Sequence, residues 1–258
     1  MYALVTGASS GIGLEYAKQL ARDYHYDIVL VSNQEKELAA AAADIASEFG
    51  VKTKTIYIDL SDSDAADLVY YYCKAEELEV DVLVNNAGIL IFQSFRTTPL
   101  KKIETLVMLH VVTMTKLCRL FAEDMCERGR GYILNMSSMS AWMAMPGIQC
   151  YNASKVYVLS FSKSLWYELR PHHVRVLAVT PGSTDTGLLP FGPKFGSLLR
   201  AVHITMPVPR LVKRALRVLF KRRKKTCMPG AWNYIIVPII NHLPDWVVKV
   251  AQPKLLDV

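Results

Sequence analysis

The chain has 258 residues, 52% of them apolar and 21% charged, a composition that supports a substantial core and excludes a disordered or fibrous chain. Its 30 Lys and Arg against 23 Asp and Glu give a net charge of +7, but the excess is local: Thr186–Pro244 holds 11 basic residues and no acidic one, and the remainder carries 19 basic against 23 acidic. That distribution disfavours a general nucleic-acid footprint, and no nucleic-acid partner is expected.

In chain order, short runs rich in Val, Ile, Leu and Tyr read as strands: Tyr2–Val5, Asp27–Val31, Thr55–Ile58, Val80–Val84, Tyr132–Asn135 and Val174–Val179. Between them helical patterns cover Ile12–Tyr24, Glu35–Phe49 with Gly50 as C-cap, Ser63–Glu77, Leu100–Glu127 and Tyr151–Leu169. Such alternation specifies an α/β fold with a doubly wound parallel sheet, helices on both faces, in three layers. After Pro181 the pattern breaks at Gly182, Pro190, Gly192-Pro193 and Gly196. An amphipathic helix follows, with Val208, Leu211, Val212, Ala215, Leu216 and Leu219 opposite Arg210, Lys213, Arg214, Arg217 and Lys221. A last strand is expected near Thr226–Met228. The whole of 1–258 reads as a single domain, with a helical lid over about 186–225 and an apolar C-terminal extension from about 230.

Cys73, Cys118, Cys126, Cys150 and Cys227 are dispersed, with no C-x-x-C pair. They form neither a disulfide framework nor a metal site, and they fit a reducing compartment, hence a cytoplasmic protein. Tyr2-Ala3-Leu4-Val5 runs straight into a glycine turn, without the pattern of a signal peptide. The charge-free stretch Thr226–Pro244 is broken by Pro229, Gly230 and Pro238, a poor membrane-spanning helix.

Thr6-Gly7-Ala8-Ser9-Ser10-Gly11-Ile12-Gly13 follows the first strand and opens a helix. Glycines at 7, 11 and 13 allow a tight turn and close backbone approach to a pyrophosphate, and the helix N-terminus supplies free N–H groups. The turn after the second strand, Ser32-Asn33-Gln34, lacks the acid that grips the ribose of NAD. NADP(H) is therefore favoured over NAD(H), although no Arg is present there to bind its 2′-phosphate. Asp59-Leu60 follows the third strand, as an adenine contact or a helix cap.

Tyr151 and Lys155 are four apart on a helix and share a face. An ammonium near a phenol favours phenolate, so the tyrosine can exchange a proton with a carbonyl or alcohol oxygen near neutral pH. Ser138 ends a strand 13 residues before Tyr151, at the carboxyl edge where open parallel sheets bind ligands. Its hydroxyl can bond the substrate oxygen as charge develops.

Together with Asn85-Asn86-Ala87-Gly88, Tyr151-Asn152-Ala153-Ser154-Lys155 and Pro181-Gly182-Ser183-Thr184-Asp185-Thr186, these motifs resemble the short-chain dehydrogenase/reductase family over roughly Tyr2–Val237. The resemblance implies a Rossmann-like fold and NAD(P)-dependent carbonyl–alcohol interconversion. It implies Tyr151 as acid/base, Ser138 as substrate orienter, and Lys155 as the group that lowers the Tyr151 pKa and binds the ribose. Gly7, Ser9, Ser10, Gly11, Ile12, Gly13, Ser32, Asn33, Asp59, Leu60, Asn85, Ala87, Gly88, Pro181, Gly182, Thr184 and Thr186 complete the implied cofactor site. One position departs: His110 stands where many members carry an active-site Asn. A His could keep that residue's proton relay, or simply fill an interior polar slot.

Leu90, Phe92, Trp142, Met143, Met145, Ile148, Leu188, Leu189, Phe191 and Phe195 are candidate pocket walls, suited to a small lipophilic carbonyl or alcohol. A catalytically silent dinucleotide-binding regulator or scaffold is the rival function. Apolar residues around much of Leu100–Glu127 point to a homo-oligomer, dimer or tetramer. The basic helix is open to three readings: a solvated face, a site for an anionic substrate carrier, or peripheral contact with anionic lipid.

Overall fold

The computed structural model describes residues 1–142, 146–182, 206–222 and 224–230. Its strands are β1 (Tyr2–Thr6), β2 (Asp27–Ser32), β3 (Thr53–Tyr57), β4 (Val80–Asn85), β5 (Gly131–Met136), β6 (Val174–Val179) and β7 (Thr226–Cys227). They form one seven-stranded sheet in the order β3-β2-β1-β4-β5-β6-β7, and every pairing is parallel. β1 to β6 are the predicted runs shifted by at most two residues at either end. Leu4, Val29, Leu83, Ile133 and Leu177 are fully buried, because helices cover both faces.

The helices are α1 (Gly11–Tyr24), α2 (Glu35–Phe49), α3 (Ala65–Ala75), α4 (Leu100–Val107), α5 (Met114–Glu127), α6 (Gln149–Leu169) and α7 (Val208–Lys221). Apolar faces of α1, α2 and α7 pack on one side of the sheet. Those of α3, α5 and α6 pack on the other. The chain order reverses between β1 and β4, so a crevice opens at their carboxyl ends, and the glycine turn after β1 lies in it.

Two departures from the sequence reading stand out. Leu100–Glu127 is not one regular helix: Met108–Thr113, between α4 and α5, is π-helical. Periodicity cannot reveal this, because the apolar pattern continues through the wider turn. The same stretch is long and apolar enough to cross a membrane by length and composition, yet Leu106, Leu117, Cys118 and Met125 are spent on the domain core. The second departure concerns the expected lid over 186–225. Its second half is α7, whose Leu211, Val212, Ala215 and Leu216 are fully buried. It completes the α1 side of the core instead of covering a substrate, since its wide apolar stripe has the sheet to face. The lid up to 205 and the extension from 231 lie outside the described residues.

Candidate active site

The cofactor turn is braced by residues that the sequence reading passed over. Thr6 Oγ1 donates to the Val84 carbonyl (3.3 Å) and accepts the N–H groups of Asn86 (2.9 Å) and Ala87 (3.0 Å). Asn86 Nδ2 donates back to the Thr6 carbonyl (3.1 Å). These bonds clamp β1 to the segment after β4. Thr6 begins the glycine motif and Asn86 lies within N-N-A-G, so position in a motif was the available signal.

The turn fits an anionic dinucleotide. Gly7 and Gly11 adopt left-handed φ values of +65° and +57°, and nothing lies within 4 Å of where a side chain at Gly11 would sit. A Cβ at Gly13 would fall 2.0 Å from the Gly7 carbonyl oxygen, so this helix can approach the turn only through glycine. Ser10 makes no side-chain cap, and the first turn of α1 carries no acid. Its free N–H groups and positive dipole are left for a pyrophosphate.

At the end of β2, the Ser9 and Ser32 hydroxyls bond each other (2.9 Å). Asn33 Nδ2 donates to Asp59 (3.1 Å). Burial works to raise the Asp59 pKa, but the Ser61 backbone N–H, the Ser61 hydroxyl and Asn33 outweigh it and hold the carboxyl below its usual range. Leu60 is a core side chain whose carbonyl accepts Thr113 Oγ1 (2.8 Å). Asn85, expected to line the adenosine side, borders the cavity beside the turn, and its amide donates to Asn135 Oδ1 (2.8 Å). Asn135 in turn donates to Ser162 (2.9 Å) and Ser162 to the Val158 carbonyl (2.6 Å), a buried ladder tying β4 and β5 to α6. Pro181 is buried, and its carbonyl accepts the Met139 N–H (2.8 Å), fixing the loop after β5. Thr184 and Thr186 lie outside the described residues, as do Met143, Met145, Leu188, Leu189, Phe191 and Phe195.

Ser138, Tyr151 and Lys155 converge as the sequence implies. Ser138 accepts the Ser140 N–H (3.1 Å), and its hydroxyl hydrogen-bonds the Tyr151 phenol. The neighbouring Ser137 donates to the Lys155 carbonyl (2.7 Å), pinning the end of β5 to α6. One expectation is corrected. Burial raises the Tyr151 pKa, and only the Ser138 bond opposes it. Lys155 is not what acts on the phenol: its Nζ donates to the Met136 carbonyl (2.9 Å) and lies 5.4 Å from the tyrosine ring centre. Burial lowers Lys155 itself to about 8.

His110 sits in the π-helical turn, 2% exposed. Its Nε2 accepts the Ile89 N–H (3.0 Å) and its Nδ1 meets Ser154 Oγ (2.9 Å). A cavity of about 20 Å³ bordered by Thr6, Asn85, Ala87, His110, Met136 and Lys155 joins this corner to the cofactor turn. Of the substrate walls, Leu90 and Phe92 are half-buried beside the site, and Ile148 is buried. Trp142 packs instead on Ala141, Leu159 and Ala178. Among the described residues, no cluster of His, Cys, Asp and Glu could hold a metal.

A parallel sheet with a glycine turn at its switch point and a Ser–Tyr–Lys group at its carboxyl edge defines a dinucleotide-dependent oxidoreductase. The family described as short chain dehydrogenase matches residues 1–191, and the chain belongs to this family of NAD(P)-dependent oxidoreductases. The chain is 34% identical over 244 residues to a very-long-chain 3-oxoacyl-CoA reductase of Ajellomyces capsulatus, covering 93% of this chain and 68% of that protein. It is 30% identical to the Homo sapiens protein of the same name, covering 95% and 76%. It spans only 60% and 53% of the length of two other such relatives, from Coccidioides immitis and Phaeosphaeria nodorum. Among solved structures, a 7beta-hydroxysteroid dehydrogenase superposes with a TM-score of 0.85 at 26% identity, covering 96% of this chain and 95% of that one. A Sphingobium yanoikuyae short-chain dehydrogenase in complex with NADPH gives 0.79 at 29%, covering 94% and 96%.

Proposed function

We propose that the protein uses NADP(H) to reduce the keto group of a lipophilic substrate, a 3-oxoacyl thioester, to the corresponding alcohol. The carrying observation is the convergence of Ser138, Tyr151 and Lys155 beside an uncapped, glycine-lined helix start. The substrate class follows the name shared by several relatives and the apolar Leu90, Phe92 and Ile148 beside the site. The dinucleotide, held by the turn Gly7–Gly13 and by Lys155, supplies the hydride when bound. The chain's own part is proton handling. Ser138 bonds the substrate oxygen and orients it towards Tyr151. A phenol whose pKa is raised by burial carries its proton at pH 7, the form needed to protonate an oxygen during reduction. The phenolate left behind is stabilised by the Ser138 bond.

Lack of an acid at the end of β2, together with the NADPH-bound neighbour, favours NADP(H). The ionised Asp59 beside Asn33 favours NAD(H), because it would repel a 2′-phosphate. A second functional reading, a dinucleotide-binding protein without turnover, draws on Lys155 being engaged by Met136 and not by Tyr151. Val107 (41% exposed), Val112 (37%), Val156 (45%) and Tyr157 (37%) leave an apolar face on α4 through α6 that favours a homo-oligomer.

The deciding experiment follows absorbance of NADPH and NADH with 3-oxoacyl-CoA substrates of increasing chain length. Turnover with NADPH that improves with chain length is expected. Binding of dinucleotide with no turnover on this panel or on lipophilic ketones would replace the enzyme by the silent reading.

A further inference from the structure

The departure at His110 has a definite structural answer. An N–H can only donate, so the Ile89 N–H must receive the lone pair of His110 Nε2 (3.0 Å). In a neutral imidazole the proton then lies on Nδ1. Nδ1–H donates to Ser154 Oγ (2.9 Å), and the Ser154 hydroxyl donates to the Tyr151 carbonyl oxygen (2.7 Å). Every donor meets an acceptor along Ile89 → His110 → Ser154 → Tyr151. Three elements are joined: the loop after β4, the π-helical turn, and the first turn of α6.

The packing around the ring is matched to this bond. A Cβ on Gly88 would lie 2.8 Å from His110 Nε2, so only glycine lets the loop present the next N–H to the imidazole. The Tyr151 ring stands edge-on to the imidazole, with centroids 5.8 Å apart. The charged group acting on the ring is Lys155, which with burial holds the histidine well below its usual pKa.

We propose that His110 is a positioning residue, fixed as the neutral Nδ1–H tautomer, which sets the start of the Tyr151 helix against the post-β4 loop and closes this corner to proton transfer. Neither nitrogen is free: a ring that relayed a proton from Lys155 would have to break the bond to Ile89 or the bond to Ser154. This inference rests on the reductase reading for its kinetic half only.

Long-range ¹H–¹⁵N spectra of histidine-labelled protein test the tautomer without any turnover. Among the six histidines, one ring protonated at Nδ1 and bare at Nε2 is expected, unchanged between pH 5.5 and 8 and missing in His110→Gln. A His110 ring protonated at Nε2, or titrating in that range, overturns the proposal. In kinetics, His110→Gln can still accept the Ile89 N–H and does not titrate. It is expected to keep kcat within about 3-fold and to leave the pH profile in place. His110→Leu is expected to lose about 100-fold in kcat with little change in KM, the scale of a small misplacement of the reacting groups. An acidic limb in the wild-type profile that vanishes in His110→Gln would make the residue a relay. If no carbonyl substrate is turned over, the reductase reading fails while the spectra still decide the clamp.

Discussion

Lys155 Nζ donates to the carbonyl oxygen of Met136, 2.9 Å away, and stands 5.4 Å from the centre of the Tyr151 ring. The ammonium is thus held by the end of β5. Burial lowers its pKa to about 8 while raising that of the phenol. The two shifts separate the titrations of the groups, the ammonium losing its proton first, and both stay protonated at neutral pH.

A pH profile follows with a fixed sign. A lysine of pKa about 8 holds its proton below pH 8 and loses it above. Reduction, which needs the protonated phenol and the cation, should be flat from pH 6 to 7.5 and fall tenfold per unit well above 8. Measured as kcat/KM, a profile still rising at pH 9 contradicts this assignment.

Tyr151→Phe removes the proton donor and should lower kcat at least about 1000-fold; Ser138→Ala should lower it about 100-fold. Both should keep the rise in Tm on adding NADPH, because the Gly7–Gly13 turn is untouched. Steady-state rates and melting curves on the same preparations separate chemistry from binding.

Cofactor choice turns on Asn33 and Asp59. Asn33→Arg should place a guanidinium where a 2′-phosphate sits and raise the preference for NADPH over NADH by about tenfold, roughly 1.4 kcal/mol. Asp59→Asn should move it the same way by removing repulsion. Titration of each variant with both dinucleotides gives the ratio, and no change in either variant removes the pair from cofactor selection.

Gly13→Ala should be the most damaging single methyl group in the turn. The new Cβ meets a backbone oxygen at 2.0 Å, which cannot swing aside as a side chain can. Loss of all dinucleotide-dependent stabilisation is expected, with Tm lowered even without ligand. Gly50→Ala has open space and is the control: its left-handed φ of +66° is the only source of strain and costs about 1 kcal/mol.

Arg210, Lys213, Arg214, Arg217 and Lys221 share the solvent face of α7, and all are exposed. Anionic vesicles should pull the protein down at low salt and release it at high salt, each surface cation adding about 1 kcal/mol. Replacing Lys213, Arg214 and Arg217 by Gln should abolish sedimentation; equal binding to neutral vesicles would assign it to another surface.

Much of this molecule was legible in its sequence. Apolar runs gave the strands because β1, β2, β4, β5 and β6 are buried on both faces, and the four-residue spacing of Tyr151 and Lys155 survives as a shared helix face. Contacts between elements were not legible. The Thr6–Asn86 brace spans 80 residues, the direction of Lys155 Nζ is a rotamer set by Met136, and the Asn85 amide turned inward because Asn135 offered an acceptor there. The fate of α7 was missed for another reason: its apolar stripe was seen, but the core it faces exists only once the sheet is assembled.

The wide turn at Met108–Thr113 divides the labour of the long helix. Successive α-helical residues stand about 100° apart, so the extra residue taken up by the wider turn shifts which sequence positions face the core before and after it. Val107 before it lies exposed, and His110 within it reaches the Ile89 N–H. The irregular turn is where the helix changes phase, letting its second half follow the sheet while its first half answers to the reaction cleft.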